Sequence, residues 1–456
     1  MRSNMPRTCV RPFALWLICG ALLLIASSAR AGGKVPCSQA GVFSDAVVNV
    51  LVLPYRYSDQ WAPSNKTTIG ARLASLIQQE ALFSMLKYEN IGVTELVSVN
   101  GELCDVNAVI SMVTSGSNQR RVRPGSGLAI IWGRIYEDGD DIFVQSYVRF
   151  LLPDVPNTIT VPLATKDMPL EFEAAIPAQG VALAPRRMTN NDFGEIEARA
   201  ARVLVLREKP DESAESRPYA HGPNAPLTYW VVDQKGEWMK IKSQLNGQEG
   251  WVRARFDDEL WSLRRFLPEL GYLDAVVAYL QLRAKSRPSN SARILTWMEN
   301  AFAQYARAVG VDGAREAVAL SRAMLGQVVW SQSGGVANRD DAQLAAKLFR
   351  EAQALIPESS EARNLSAVTL PLLRSENVLT RESAAEIDTG LLGAIAVNGR
   401  NLLALRNLEK LYKYMTTQPK LSNYTSSELE ERLSLVKEAQ AAAMTRGRHE
   451  TEFYAP

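Results

Sequence analysis

Few side chains in this chain are equipped for chemistry. It has two histidines, His221 in a proline-rich stretch and His449 near the end. A Ser/His/Asp triad or a histidine-based zinc site therefore has almost nothing to draw on, and His221 reads as a solvated loop residue. No Gly-x-Gly-x-x-Gly run or P-loop lysine motif is present to cradle a phosphate. Ser434-Leu435-Val436-Lys437 matches the Ser-x-x-Lys of penicillin-binding enzymes by letters alone. It sits in a charged helical run, residues 428–438, without the partner motifs. Acidic clusters at Asp138/Asp140/Asp141 and Asp257/Asp258/Glu259 suit a hairpin tip and a domain boundary, and neither has calcium-loop spacing. No catalytic residue, metal site or cofactor is assigned. The group that remains is aromatic: Tyr229, Trp230, Trp238 and Trp251, on neighbouring expected strands. Exposed, such rings stack on a sugar or a proline; turned inward, they fill a small barrel. Trp238 and Trp251 are expected in the core. Tyr229 and Trp230 are adjacent in one strand, so one of them must face out.

The elements that must position these residues follow from periodicity. Val47-Val48-Asn49-Val50-Leu51-Val52-Leu53 reads as a strand buried on both faces and stopped by Pro54. Ile69, Leu73, Leu76, Ile77, Phe83 and Leu86 recur near helical spacing. Two β-rich runs, residues 128–136 and 142–152, flank Asp138-Gly139-Asp140, a hairpin signal because Asp-Gly accepts positive φ. Strand, helix and hairpin predict an α/β sandwich over residues 42–185, with residues 111–127, rich in Ser, Gly and Arg, as a loop. Residues 158–161 and 172–181 read as extra strands, and Thr189-Asn190-Asn191-Asp192 as a capped helix start. Residues 198–262 are short-stranded and β-rich. From residue 263 to 448 the chain is helical; residues 340–356 carry Ala345, Leu348, Phe349, Ala352 and Leu355 on one stripe, closed by Pro357.

Three resemblances attach to these segments. Val52-Leu53-Pro54-Tyr55, followed by Leu128-Ala129-Ile130-Ile131-Trp132-Gly133-Arg134-Ile135 and the Asp-Gly turn, resembles the TolB amino-terminal-domain type. That likeness implies protein–protein contact in envelope assembly and no catalytic residues. Val205-Leu206-Arg207, Gly236-Glu237-Trp238-Met239-Lys240-Ile241 and Gly247-Gln248-Glu249-Gly250-Trp251-Val252 resemble the bacterial SH3-like module, which implies a small β-barrel that binds peptidoglycan or a partner peptide. Residues 345–362 look like the second helix and step of a tetratricopeptide repeat, with an echo over residues 390–405. The echoes lie about 40 residues apart against the regular 34, so the region is a degenerate helical repeat whose stacked pairs leave a concave surface for partners.

Residues 1–31 read as a cleavable export signal: Arg2, Arg7 and Arg11, an apolar run over 13–25, then Ala29-Arg30-Ala31 before Gly32. The competing reading is an uncleaved anchor, against which the run is short. That segment holds four arginines and no acid, so the remainder carries 47 basic and 49 acidic residues. A net charge of −2 offers no electrostatic reason for a nucleic-acid partner. No later stretch predicts stable membrane insertion, and the expected location is the periplasm or outside the cell. Beyond the signal only Cys37 and Cys104 remain. They form a single bridge or stay as two thiols, and an oxidising compartment favours the bridge. The expected function is a non-enzymatic envelope scaffold with envelope protein partners and peptidoglycan as a further ligand. A cell-wall hydrolase, or its accessory subunit, targeted by the SH3-like module is the alternative.

Overall fold

The structure, a computed structural model, describes residues 35–57, 85, 87–88, 90–97, 104–115, 121–138, 141–163, 165, 170–177, 180–189, 192, 205–218, 228–243, 246–253, 267–285, 290–373 and 378–446. The expected export signal, most of the helix expected over residues 69–86, and both histidines lie outside these residues. Strand β1 spans Val35–Pro36, β2 Val48–Tyr57, β3 Ile91–Val97, β4 Gly127–Asp138 and β5 Asp141–Leu151. β2 lies between β3 and β4 and is parallel to both; β4 and β5 form an antiparallel hairpin. β1 pairs in parallel with the end of β3. Asp138 pairs with Asp141, so this hairpin closes across the two residues where the Asp-Gly signal placed a turn.

β2 is buried on both faces, as its continuous apolar run requires. Val48, Val50 and Val52 join one core, while Leu51 and Leu53 join another on the opposite face. Pro54 does not end the strand. Pairing with β4 shifts register between Val52 and Tyr55, and this irregularity accommodates a residue with no N–H to give the ladder. On the Leu51 face lie Cys37, bonded to Cys104, and helix α1, Val106–Ser115. The loop expected from residue 111 therefore begins inside a helix. Val109 and Val113, one turn apart, supply its buried stripe, and the Asp105 carboxylate accepts the Ala108 N–H at 2.7 Å.

The Val48 face is covered by α2, Glu269–Arg283, in which every residue from Glu269 to Leu282 is buried. A helix apolar nearly all round belongs between two layers. Here those layers are the sheet and helices α3, Ser291–Val309, and α4, Arg315–Gln332. Its one buried acid near the middle, Asp274, is met by the Lys87 ammonium and by the Tyr88 hydroxyl at 2.6 Å. Helices α5 (Arg339–Leu355), α6 (Ser360–Thr369), α7 (Arg381–Val397), α8 (Leu402–Thr417) and α9 (Ser426–Arg446) follow. Asn338, Ser359, Thr380 and Asn401 cap four of them by accepting a backbone N–H one turn in. The α/β part and the helical part share one hydrophobic core running from Val48 to Ala443.

Strands β6, Thr158–Leu163, and β7, Leu170–Ala175, make a separate two-stranded hairpin against α6 and α8. β8, Gly180–Ala182, and β9, Arg186–Met188, return to pair with β5. At Thr189 the Asp192 carboxylate accepts from the Thr189 N–H at 2.8 Å, and the Asp192 N–H donates back to the Thr189 hydroxyl at 3.3 Å, while the residues that would continue the expected helix lie outside those described. The β-rich segment forms β10 (Val205–Arg207), β11 (Ser216–Pro218), β12 (Thr228–Lys235), β13 (Trp238–Ser243) and β14 (Glu249–Arg253). These run antiparallel in the order β11-β10-β14-β13-β12, and β12 continues onto β3 through Thr228↔Thr94, Tyr229↔Val93 and Trp230↔Gly92. Among the described residues no separate barrel closes. The expected barrel is instead an open arm of the main sheet, which covers the β3 edge that would otherwise expose unpaired main-chain groups.

Candidate functional site: the outer face of the antiparallel arm

Two tight turns build the arm. Lys235 pairs with Trp238 across Gly236-Glu237, where Gly236 takes φ 60°, a left-handed value that costs glycine nothing. From there strand alternation sorts the side chains. Leu206, Tyr229, Val231, Met239, Ile241 and Val252 point into the main core. The other parity places Trp230 opposite Lys242, Trp251 opposite both Lys240 and Arg207, and Trp238 opposite Arg253. Three indoles and a ladder of cations thus share one outer face. It is the face of the sheet that also carries the Cys37–Cys104 bridge.

Each of the four sequence-derived aromatics has a definite place. Tyr229 is fully buried and Trp230 is the outward member of the pair. Trp230 is half-buried because Phe43 stacks on it, with centroids 5.9 Å apart and planes 11° from parallel. Asn49 holds Phe43 there, accepting its N–H at 2.9 Å and donating to its carbonyl at 3.2 Å. Gly92, across from Trp230, is required: a Cβ there would lie 2.5 Å from the Phe43 ring. Trp238, expected in the core, is instead half-buried on the outer face, because Met239 holds the inward parity of β13. Trp251 is buried, as expected, yet on the outer side, with the Lys235 ammonium 5.3 Å from its ring centroid.

The charges on this face are paired with one another at the solvent boundary. Glu249 accepts from Lys240 at 2.9 Å and from Lys242 at 3.0 Å. The Lys240 hydrogen bond, then that of Lys242, holds its carboxyl below the ordinary carboxylate range. Arg253 reaches Glu237 at 2.8 and 2.9 Å and also Glu212, which raises the guanidinium above its ordinary value. Pairs this exposed to solvent and salt are screened and add little to stability.

Sequence reasoning missed Phe43, Lys240, Lys242 and Arg253. The alternation Trp238-Met239-Lys240-Ile241-Lys242 carried the signal for the lysines, since it puts them on the parity of Trp238. Phe43 had no such signal, being brought in by a contact across the sheet. Ser434 is exposed on α9 with its hydroxyl 3.4 Å from Glu438, a single helical turn away. Among the described residues no cluster of three or more His, Cys, Asp or Glu suits a metal ion, and no helix is long and apolar enough to cross a membrane. Set against models of protein families, curated proteins and solved structures, the chain finds no match.

Proposed function

We propose that this is a non-enzymatic binding and scaffold protein of the bacterial cell envelope, held to peptidoglycan by the outer face of its antiparallel arm and to protein partners by its helical part. The observation that carries the reading is the placing of Trp230, Trp238, Lys240, Lys242 and Arg253 on one sheet face. Half-buried indoles suit sugar rings, and flanking cations suit the carboxylates of muramyl groups and stem peptides. The Gly247-Gln248-Glu249-Gly250-Trp251-Val252 motif and the five antiparallel strands support reading the arm as an SH3-like module opened onto a TolB-like sheet. The Cys37–Cys104 bond supports an oxidising, extracytoplasmic location.

The test uses the chain from Gly32 onward, incubated with purified peptidoglycan and sedimented. The wild-type protein is expected to pellet with the wall, and Trp238→Ala with Lys240→Ala to stay in solution while melting cooperatively. Equal pelleting of both would move the ligand face elsewhere. Failure of the wild type to pellet would leave the arm as a protein contact. Release of soluble muropeptides would replace the scaffold reading with the hydrolase one.

A further inference from the structure

The β6–β7 hairpin is hydrogen-bonded to no strand of the main sheet among the described residues. Its outer edge, β7, meets the helices instead, and there the contact is made to main chain. The Glu173 N–H donates to Asn407 Oδ1 at 2.9 Å, and Asn407 Nδ2 donates back to the Glu173 carbonyl at 2.5 Å. One amide side chain thus makes the two-bond exchange that a neighbouring strand would make. Asn364 Nδ2 donates to the same carbonyl at 3.2 Å, and its Oδ1 accepts from Asn407 at 3.0 Å. The two amides are 1% and 0% exposed. They occupy matching places, Arg363-Asn364-Leu365 on α6 and Arg406-Asn407-Leu408 on α8, in successive helix pairs.

Buried asparagines are costly unless their groups are met, so this pair is shaped for an extended backbone edge. Nothing in the amide contacts reads a β7 side chain. Selectivity comes from the apolar seat that buries Leu170, Phe172 and Ala174, and from Lys410, 3.6 Å from the Glu173 carboxylate at the surface. A two-stranded hairpin alone is marginal in water, so β6–β7 depends on the helices for its order.

We propose that the α6–α8 face is a receptor for the edge of an extended strand, and that the hairpin is its resident occupant, exchangeable for a partner strand. The partner is an extended segment alternating apolar and acidic residues, as Leu170-Glu171-Phe172-Glu173-Ala174 does. Asn407 and Asn364 take its main chain and Lys410 its acid. Tethering keeps the resident strand at an effective concentration on the order of millimolar, so a free strand enters only when the resident one is loosened.

Glu173→Pro loosens it selectively. Proline removes the N–H that Asn407 accepts, and proline is tolerated where a strand's N–H side carries no ladder bond. The probe is a labelled synthetic peptide with the sequence of residues 168–178, and binding to the full chain is read by fluorescence anisotropy. Glu173→Pro is expected to bind it at least about tenfold more tightly than wild type. Adding Asn407→Ala should abolish that gain. No gain with Glu173→Pro, or a gain indifferent to Asn407→Ala, overturns the proposal. Should Glu173→Pro fail to melt cooperatively, hydrogen exchange on the wild type decides. Excess peptide should speed exchange over residues 170–175, and unchanged exchange overturns the proposal. None of this rests on the envelope reading: a protein that pellets with peptidoglycan yet ignores the peptide loses this inference alone.

Discussion

Replacing Glu269 with glutamine should remove a pH dependence of stability that the fold builds in. Glu269 opens α2 and is 2% exposed. Ser146 on β5 donates to its Oε1 at 3.3 Å, and Tyr55 on β2 donates to Ser146 at 3.1 Å. Arg186 on β9 attracts it, and Tyr305 on α3 stands near enough to sense its charge. Burial outweighs the hydrogen bonds and the arginine, pushing the carboxyl up from 4.5 to about 7. A rise of that size costs the ionised folded state about 3 kcal/mol. Because the folded value lies above the unfolded one, this stability is fully present below about pH 4.5 and is lost as pH rises through about 7. The neighbouring tyrosines do not titrate in that window: burial carries Tyr55 and Tyr272 well above their ordinary values and Tyr305 up to about 12. The Lys87–Asp274 pair further along α2 is common to both proteins and cancels in their difference. Urea unfolding of wild type and Glu269→Gln at pH 5, 6, 7 and 8 is the assay. The variant should gain on the wild type as pH rises, by up to about 3 kcal/mol at pH 8. A difference that stays constant from pH 5 to 8 would refute the reasoning.

Two further outcomes bear on the arm and the leading segment. Tyr229→Ala should destabilise the protein by about 3–5 kcal/mol as a buried aromatic, and Trp238→Ala by clearly less; comparable losses in urea melts would contradict the outward placing of Trp238. A non-reduced digest should yield the Cys37 and Cys104 peptides linked, and breaking this bond across 67 residues should lower stability by about 4 kcal/mol in the chain-entropy model; quantitative alkylation of both thiols without reductant would exclude the link.

Local signals carried much of this protein into its sequence. The apolar run at Val47–Leu53 announced a doubly buried strand, because a strand covered on both faces has no polar parity. The stripe and closing Pro357 of α5 set that helix to within a residue, and two cysteines beyond residue 31 left one possible bridge. What local pattern could not decide was which neighbour each surface would meet. β13 alternates legibly, but whether Trp238 or Met239 faces the core depends on the register of β12 against β3, a pairing of residues more than 130 positions apart. α1 was hidden because two valines suffice for its buried stripe among serines and glycine-rich flanks. Arg-Asn-Leu recurs in plain sight at 363 and 406, yet its partner is the main chain of Glu173, which has no side-chain signature. Glu269 is an ordinary glutamate by sequence. Its charge becomes costly only when α2 is closed between sheet and helices, because desolvation is a property of everything that surrounds a group.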